Sequence, residues 1–440
     1  MGLVASCCAL QACWCCIGAI PCCCGAALNI TKSMATRVTY TAFFLLLSLL
    51  AWIFEIYTQS DLWHIPFFDC STDSDCGTYT VYKVTFALFV YHLLLSILLV
   101  GVKNSKNPRA MINDGMWPLK LFFLFGLVIA DFFIPDTFFY YFAWVSLFGA
   151  GIFIIIQLVL LVDLAYSWSE SWVTKWQAGE IGEDGESNPQ KMYCVGLFFF
   201  AGLFYLISAG LVFVNYFLFC SGEFWWNSII ITAVLLMCIV LSVCSVLPRF
   251  QEFNHRIGLL QASIFTLFSS YFVYSAILSE PNLTSWLFTL SDTNSIVDYI
   301  SLIFGAIFTV VSVVYASFSV GTSKTFKPKT KEDSIDDSID ADEGENHSLS
   351  ENESSKNDDE KNLCRYNYSI FHFAFALGAM YLCMLLTNWS VISNQDIDTA
   401  KTDSGWVAVS IKIVSCFLAG GLYMWTIFAP AILPNRDWDY

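Results

Sequence analysis

Long unbroken runs of apolar residues follow one another along the whole chain of 440 residues, separated by short polar segments. Each run has about 20 residues or more, the length that an α-helix needs to cross a hydrocarbon layer of roughly 30 Å. Alternating apolar and polar positions, the pattern of membrane β-barrel strands, are absent. The pattern therefore predicts an all-α polytopic membrane protein with ten transmembrane helices. The ten predicted spans are Val38–Tyr57, Tyr82–Val102, Met116–Pro135, Thr137–Trp168, Met192–Phe219, Trp225–Leu247, Ile257–Leu278, Ile296–Val320, Tyr366–Thr387 and Gly405–Leu433.

The fourth span is longer than a membrane crossing requires. Its apolar character extends over Thr137–Trp168, and the helical pattern can continue to Trp176. At 1.5 Å per residue, the apolar part alone covers about 48 Å. A helix of this length either tilts strongly or projects from the membrane.

The composition excludes an ordinary soluble domain. Hydrophobic residues make up 57% of the chain and charged residues only 13%, whereas soluble domains carry about 25% charged residues. A soluble fold of this length has no means of hiding so much apolar surface from water.

The positive charges predict the orientation of the spans. Lys and Arg accumulate in cytoplasmic loops, and alternate loops of the ten-span arrangement hold eighteen of these residues against two, Lys83 and Lys401, on the other side. Both termini are therefore predicted to be cytoplasmic. The net charge of −16 reflects mainly thirteen acidic residues between Glu332 and Glu360.

These observations divide the chain into five segments. Residues 321–365 form an acidic cytoplasmic loop that is too polar to fold alone. Its Ser334, Ser338 and Ser350 lie close to acidic residues. The loop is therefore either a kinase or sorting-adaptor contact or a passive solvated linker. The predicted segments are a Cys-rich membrane-associated segment at 1–37, spans one to eight at 38–320, the acidic loop at 321–365, spans nine and ten at 366–433, and a tail at 434–440.

The first 27 residues are apolar and contain eight cysteines. Gly2 begins a myristoylation pattern, and Cys7 and Cys8 follow it as candidate palmitoylation sites. The alternative is an unmodified cysteine-rich helix lying in the membrane interface. The cysteine spacing matches no zinc pattern and no histidine accompanies it, which argues against a metal site.

Two modifications are predicted on the outer side. Cys70 and Cys76 lie in one outer loop, where they form either a small disulfide or two free thiols. Asn282 begins the glycosylation motif Asn-Leu-Thr in another outer loop.

Polar residues inside the spans are the candidate functional positions, because an ionisable group in lipid is costly. Asp163, Gln157, Gln261 and His372 are candidates for a polar track that a lipid headgroup could follow. A candidate charge pair joins Lys412 with Glu55 or Asp131. For each of these residues the alternative is a hydrogen bond between helices with no further role. The candidate set is Asp163, Gln157, Gln261, His372, Lys412, Glu55 and Asp131.

The sequence contains no residue pattern that supports catalysis. Hydrolytic triads, P-loops, dinucleotide fingerprints and HExxH-type metal motifs are absent. We therefore expect a protein that is not an enzyme and that uses neither a cofactor nor a metal.

Several short segments are together specific, although none would suffice alone. They are the Cys-rich start, Asn107–Ala110 with Gly115–Trp117, Phe132–Pro135, Leu161–Ala165 with Trp168 and Trp172, Ser279–Pro281, Tyr368–His372, and Trp425–Pro430 with Pro434 and Arg436. With them the chain resembles the serine incorporator family, also called TMS membrane proteins, over nearly its whole length. The Cys70/Cys76 loop looks most like the fungal branch.

The resemblance implies ten helices in two bundles, joined by a long tilted helix that corresponds to the fourth span. The family is named for incorporating serine into phosphatidylserine and sphingolipids, and some members are described as ATP-independent lipid scramblases. The acidic loop lies where members carry an adaptor-recognised loop, but its sequence departs from theirs.

We therefore expect lipid scrambling, including that of phosphatidylserine. The alternatives are an accessory role in serine incorporation and secondary transport. The expected partners are membrane phospholipids, with sphingolipids as further candidates, and no nucleic acid is expected. The sequence is compatible with a monomer or an oligomer. The plasma membrane, Golgi or endosomal membranes and the vacuole are all compatible locations.

Overall fold

The computed structural model describes residues 32–58, 76–177, 191–220, 225–252, 257–280, 293–319, 364, 366–389, 391 and 397–433. These residues are helical almost throughout, and no strand occurs among them. The helices are α1 Lys32–Thr58, α2 Cys76–Leu98, α3 Ala110–Asp114, α4 Trp117–Asp131, α5 Asp136–Gln177, α6 Lys191–Phe219, α7 Trp225–Val246, α8 Pro248–Gln251, α9 Leu259–Leu278, α10 Thr293–Ser319, α11 Tyr368–Leu386 and α12 Ile397–Ile432.

Eight helices of the described residues are long and apolar enough to cross a membrane. This confirms the predicted class, an all-α polytopic membrane protein. The third and eighth predicted spans correspond to α4, which has 15 residues, and to α10, of which the segment Leu302–Tyr315 is the apolar part described. The number of ten spans stays a prediction.

Helix α5 confirms the predicted length of the fourth span. It has 42 residues, or about 63 Å of helix, and ends one residue beyond Trp176. It begins directly after Pro135, and its first residue, Asp136, places a negative charge at the positive end of the helix dipole. Lys83 forms an ion pair with Asp136 at 2.9 Å.

The chain divides into two compact units. The small unit consists of Met1–Leu46, Val90–Ile129 and Ala316–Ala376, and the large unit of Leu47–Phe89, Ala130–Tyr315 and Leu377–Tyr440. Helix α5 belongs to the large unit throughout its length. Its role as a joint between two bundles stays a prediction.

Helix α9 lies at the centre of the large unit. It packs against α5, α6, α7 and α12, and its membrane-spanning window is completely buried. It is also the least apolar of the eight spans, with a mean hydropathy of 1.3. Its serine and threonine side chains are buried against other helices, and the hydroxyls of Ser263 and Thr266 donate to backbone carbonyls of the helix itself.

Helices α5 and α12 of the large unit approach each other closely at Gly151. A Cβ atom at this position would lie 2.6 Å from the side chain of Ile411. The approach lets the Ser415 hydroxyl donate a hydrogen bond to the Gly151 carbonyl at 3.1 Å. The glycine is therefore required by packing, as expected for small residues at helix contacts in membranes.

Candidate functional site

Asp163 is the centre of a small polar cluster, which consists of Asp163, Tyr315 and Ser167. The Tyr315 hydroxyl donates to Asp163 Oδ2 at 2.9 Å, and the oxygens of Ser167 and Tyr315 lie 3.0 Å apart. Because a phenol has a single O–H, Ser167 is the donor of the second bond. The bonds therefore run from Ser167 through Tyr315 to the carboxylate.

This polar cluster is accessible from outside the helix bundle. Asp163 and Ser167 are four residues apart on α5, which puts them on one face of the helix. Asp163 and Tyr315 are half-buried and Ser167 is exposed. A carboxylate and two hydroxyls therefore reach the surface of a predicted span, as a headgroup contact requires.

The other three residues of the predicted track are fully buried. On α5, both side-chain polar atoms of Gln157 lack a hydrogen-bond partner among the described residues, which costs about 1–3 kcal/mol for a buried group. Gln261 lies on α9, close to Gly258. Asp163, Gln157 and Gln261 belong to the large unit, whereas His372 belongs to the small unit.

His372 is part of a hydrogen-bonded network inside the small unit. Its Nε2 lies 3.1 Å from Asn113 Oδ1, and its Nδ1 lies 3.1 Å from Nδ1 of His92. Asn113 Nδ2 donates to Asp114 Oδ1 at 2.8 Å and to the Tyr366 hydroxyl at 3.0 Å. These bonds link segments that are more than 250 residues apart in sequence.

The acceptors fix both histidine tautomers. The Asp114 carboxylate only accepts, so Asn113 presents its amide nitrogen there and its oxygen to His372. His372 must then donate from Nε2, which leaves its Nδ1 as the acceptor for His92 Nδ1–H. In the series His92, His372, Asn113 and Asp114, each side chain therefore donates a hydrogen bond to the next.

Sequence reasoning missed Asn113 and misjudged Lys120. The Asn113 carbonyl accepts from Tyr40 Oη at 3.0 Å and from Lys120 Nζ at 2.5 Å. Lys120, one of the eighteen basic residues assigned to the cytoplasmic loops, is only 7% exposed, and its ammonium lies 4.0 Å from the Trp117 ring centroid. The signal in the sequence is the segment Gly115–Trp117 beside Asn113, which is one of the segments shared with the serine incorporator family.

Lys412 is buried and makes hydrogen bonds to serines. Its Nζ donates to the Ser275 carbonyl and hydroxyl, both at 2.8 Å, and to the Ser279 hydroxyl at 2.9 Å. In the part of the chain that the structure describes, it forms no ion pair with Glu55 or Asp131. The predicted charge pair is absent because three oxygens near the outer end of α9 already use the three N–H donors of the ammonium.

An unusual turn covers Lys412. Asn388 and Trp389 both have left-handed backbone angles, with φ of 50° and 60°. The turn brings the Trp389 ring centroid to 4.2 Å from the ammonium, a cation–π contact.

Just beyond α9, Glu280 accepts from Asn227 Nδ2 at 2.9 Å, and burial raises the pKa of this carboxyl above its ordinary value.

The remaining predicted sites lie outside the described residues. They are the lipidation positions Gly2, Cys7 and Cys8, the disulfide position Cys70 with the side chain of Cys76, and the glycosylation position Asn282. Among the residues that are described, no three His, Cys, Asp or Glu side chains come together as a metal site would require. The expected absence of a cofactor stays a prediction.

Comparison with known proteins identifies the family. The family model described as serine incorporator (Serinc) matches residues 12–436. A probable serine incorporator of Dictyostelium discoideum is 37% identical over 93% of this chain and 97% of its own length. Serine incorporator 3 of Mus musculus is 33% identical over 85% of this chain and 84% of its own length.

The similarity extends to a fungal protein. Membrane protein TMS1 of Saccharomyces cerevisiae is 30% identical over 93% of this chain and 92% of its own length. The chain belongs to the serine incorporator family.

Proposed function

We propose that this protein moves phospholipids, including phosphatidylserine, between the two leaflets without ATP and without a covalent step. The observation that carries the proposal is the polar cluster of Asp163, Tyr315 and Ser167, which reaches the surface of a predicted span. Polar groups in lipid are costly, so a carboxylate retained at such a position is a functional candidate by default.

The physical role of the polar cluster is to replace water around a passing headgroup. A headgroup that enters hydrocarbon loses its hydrogen bonds with water, which raises the barrier to crossing. The Asp163 carboxylate can bond to the ammonium of phosphatidylserine or phosphatidylethanolamine, and each hydroxyl can donate to a phosphate oxygen when its O–H turns away from its present acceptor in the polar cluster. These contacts lower the barrier by partly compensating the lost hydration.

Liposomes reconstituted with the purified protein test the proposal. Fluorescent phospholipid on the inner leaflet becomes accessible to a membrane-impermeant quencher only if it crosses, so the quenched fraction should rise from about half to nearly all. Unchanged quenching with the wild-type protein would overturn scrambling.

Substitutions in the polar cluster test its role. We expect Asp163→Asn and Tyr315→Phe each to slow scrambling about tenfold, which corresponds to about 1.4 kcal/mol of barrier. Tyr216→Phe is the matched control, because it removes a hydroxyl from the exposed Tyr216–Thr232 pair elsewhere on the large unit. Wild-type rates in both cluster variants would overturn the assignment of the site but not the function.

The names of the relatives support a second candidate, an accessory role in incorporating serine into lipids. In cells that lack the protein, labelled serine should then enter phosphatidylserine and sphingolipids more slowly. Restoration by a variant that does not scramble in liposomes would favour this role over scrambling.

A further inference from the structure

A half-open cavity of about 280 Å³ lies in the large unit, where the last turns of α5 meet the first turns of α6 and α9. The wall that the described residues form is almost entirely apolar, with Ser169 as its only hydroxyl. The side chains used below are Val173 and Trp176 of α5, Cys194, Leu197 and Ala201 of α6, and Leu260 of α9. The cavity is separate from the polar cluster, because Ser169 and Val173 lie on a different face of α5 from Asp163 and Ser167.

The surroundings place one end of this cavity at the level of lipid headgroups. Trp168, Trp172 and Tyr193 form a cluster of rings between α5 and α6, with centroids 5.5–5.8 Å apart. Tryptophan and tyrosine collect at the boundary between hydrocarbon and water. The predicted orientation assigns this end of both helices to the cytoplasmic side.

An exposed lysine lies at the same end of α5 as the cavity. The exposed Lys175 precedes the wall residue Trp176, and its ammonium lies 5.5 Å from the ring centroid of Tyr193, which precedes the wall residue Cys194. An ammonium at headgroup level beside an apolar cavity matches the two parts of a phospholipid, the phosphate and the acyl chain. A sterol or a diacylglycerol would leave the charge unpaired.

We propose that this cavity holds one acyl chain of a phospholipid of the cytoplasmic leaflet, whose phosphate pairs with Lys175. The lipid is a resident ligand of the large unit. The proposal does not rest on scrambling, because it concerns a different face of α5 and predicts binding and not transport.

The thiol of Cys194 reports occupancy directly, because it belongs to the cavity wall. The full-length protein, stripped of lipid in detergent, is treated with a thiol reagent with and without added dioleoylphosphatidylcholine, and labelling is measured at each cysteine by peptide mapping. At a lipid concentration about ten times Kd, labelling of Cys194 should slow about tenfold, since only the unoccupied fraction reacts. Cys244 on α7, outside the cavity, is the internal control and should not change.

Two pairs of variants test the acyl-chain contact and the phosphate contact separately. Ala201→Phe fills the cavity and should abolish protection of Cys194, whereas Gly202→Phe adds the same ring next to it, where nothing lies within 4 Å, and should retain protection. Lys175→Gln should weaken binding about three- to tenfold and Lys175→Arg should restore it. Retained folding of each variant is checked by its unchanged Cys244 labelling.

Three results would overturn the proposal. Unchanged labelling of Cys194 at all lipid concentrations excludes an acyl chain in the cavity. Equal protection by dioleoylglycerol, which has no phosphate, excludes the headgroup contact. Equal protection in the Lys175→Gln variant excludes Lys175 as the residue that pairs with phosphate. Each result leaves the liposome measurement of scrambling untouched.

Discussion

At the scale of single residues, Lys412 shows how a buried cation can be held without a carboxylate. Its three N–H donors meet three oxygens of Ser275 and Ser279, and the face of Trp389 covers it. The Ser279 hydroxyl does not depend on the lysine, since Ser279 Oγ also donates to the Ser275 carbonyl at 3.2 Å. Removing the ammonium therefore leaves no buried charge unpaired.

The consequence is an unusual ranking of substitutions at this position. Lys412→Met keeps the volume and removes a costly buried charge, so we expect the free energy of unfolding to change by less than about 1.5 kcal/mol. Lys412→Ala leaves a cavity and should cost about 2–4 kcal/mol. Thermal unfolding in detergent, followed by intrinsic fluorescence, measures both, and a Met variant less stable than the Ala variant would contradict this account.

At the scale of elements, the short helix α3 positions the centre of the small unit. Its Asn113 bonds to residues of α1, α4 and α11 and to Tyr366, so one residue links several segments. The strength of such a network depends on every donor having its acceptor. The network is most sensitive to substitution at the bond between Asn113 and Asp114. The Asp114 carboxylate only accepts hydrogen bonds, so its partner must be a donor.

A double-mutant cycle tests this link. Asn113→Asp sets two carboxylates against each other and should destabilise the protein by about 2–4 kcal/mol, since a buried donor is lost and a repulsion added. Asp114→Asn in the same chain supplies a new donor and should recover about 0.5–3 kcal/mol of that loss. Additive effects in thermal unfolding would show that the two side chains are not coupled.

At the scale of the whole molecule, hydropathy predicted the class and most span positions, because burial in lipid leaves a strong linear signal. The length of α5 was predicted for the same reason. The partners of Lys412 and His372 were not predictable, because they come from segments distant in sequence. For a lone charge in a span, sequence indicates only that some partner must exist.

The least settled span, α4, is also the simplest to test. Its 15 residues cover about 22 Å, less than the hydrocarbon layer, so its flanking turns or a local thinning of the membrane must complete the crossing. With an impermeant thiol reagent on intact cells, the exposed Thr137→Cys should add label, and the exposed Lys106→Cys should add none until the cells are permeabilised. Equal labelling of both in intact cells would remove this span from the count.

The complete burial of α9 bears on how the chain is made. A segment enters the bilayer from the translocon according to its own apolar character, and α9, with its serines, threonines and buried Gln261, is the poorest candidate among the eight spans. Its neighbours α6 and α7 are synthesised first and pack against it, so they offer its hydroxyls a protein surface in place of lipid. During biogenesis of the large unit, the central helix α9 is therefore inserted after α6 and α7 and against helices that are already in the membrane.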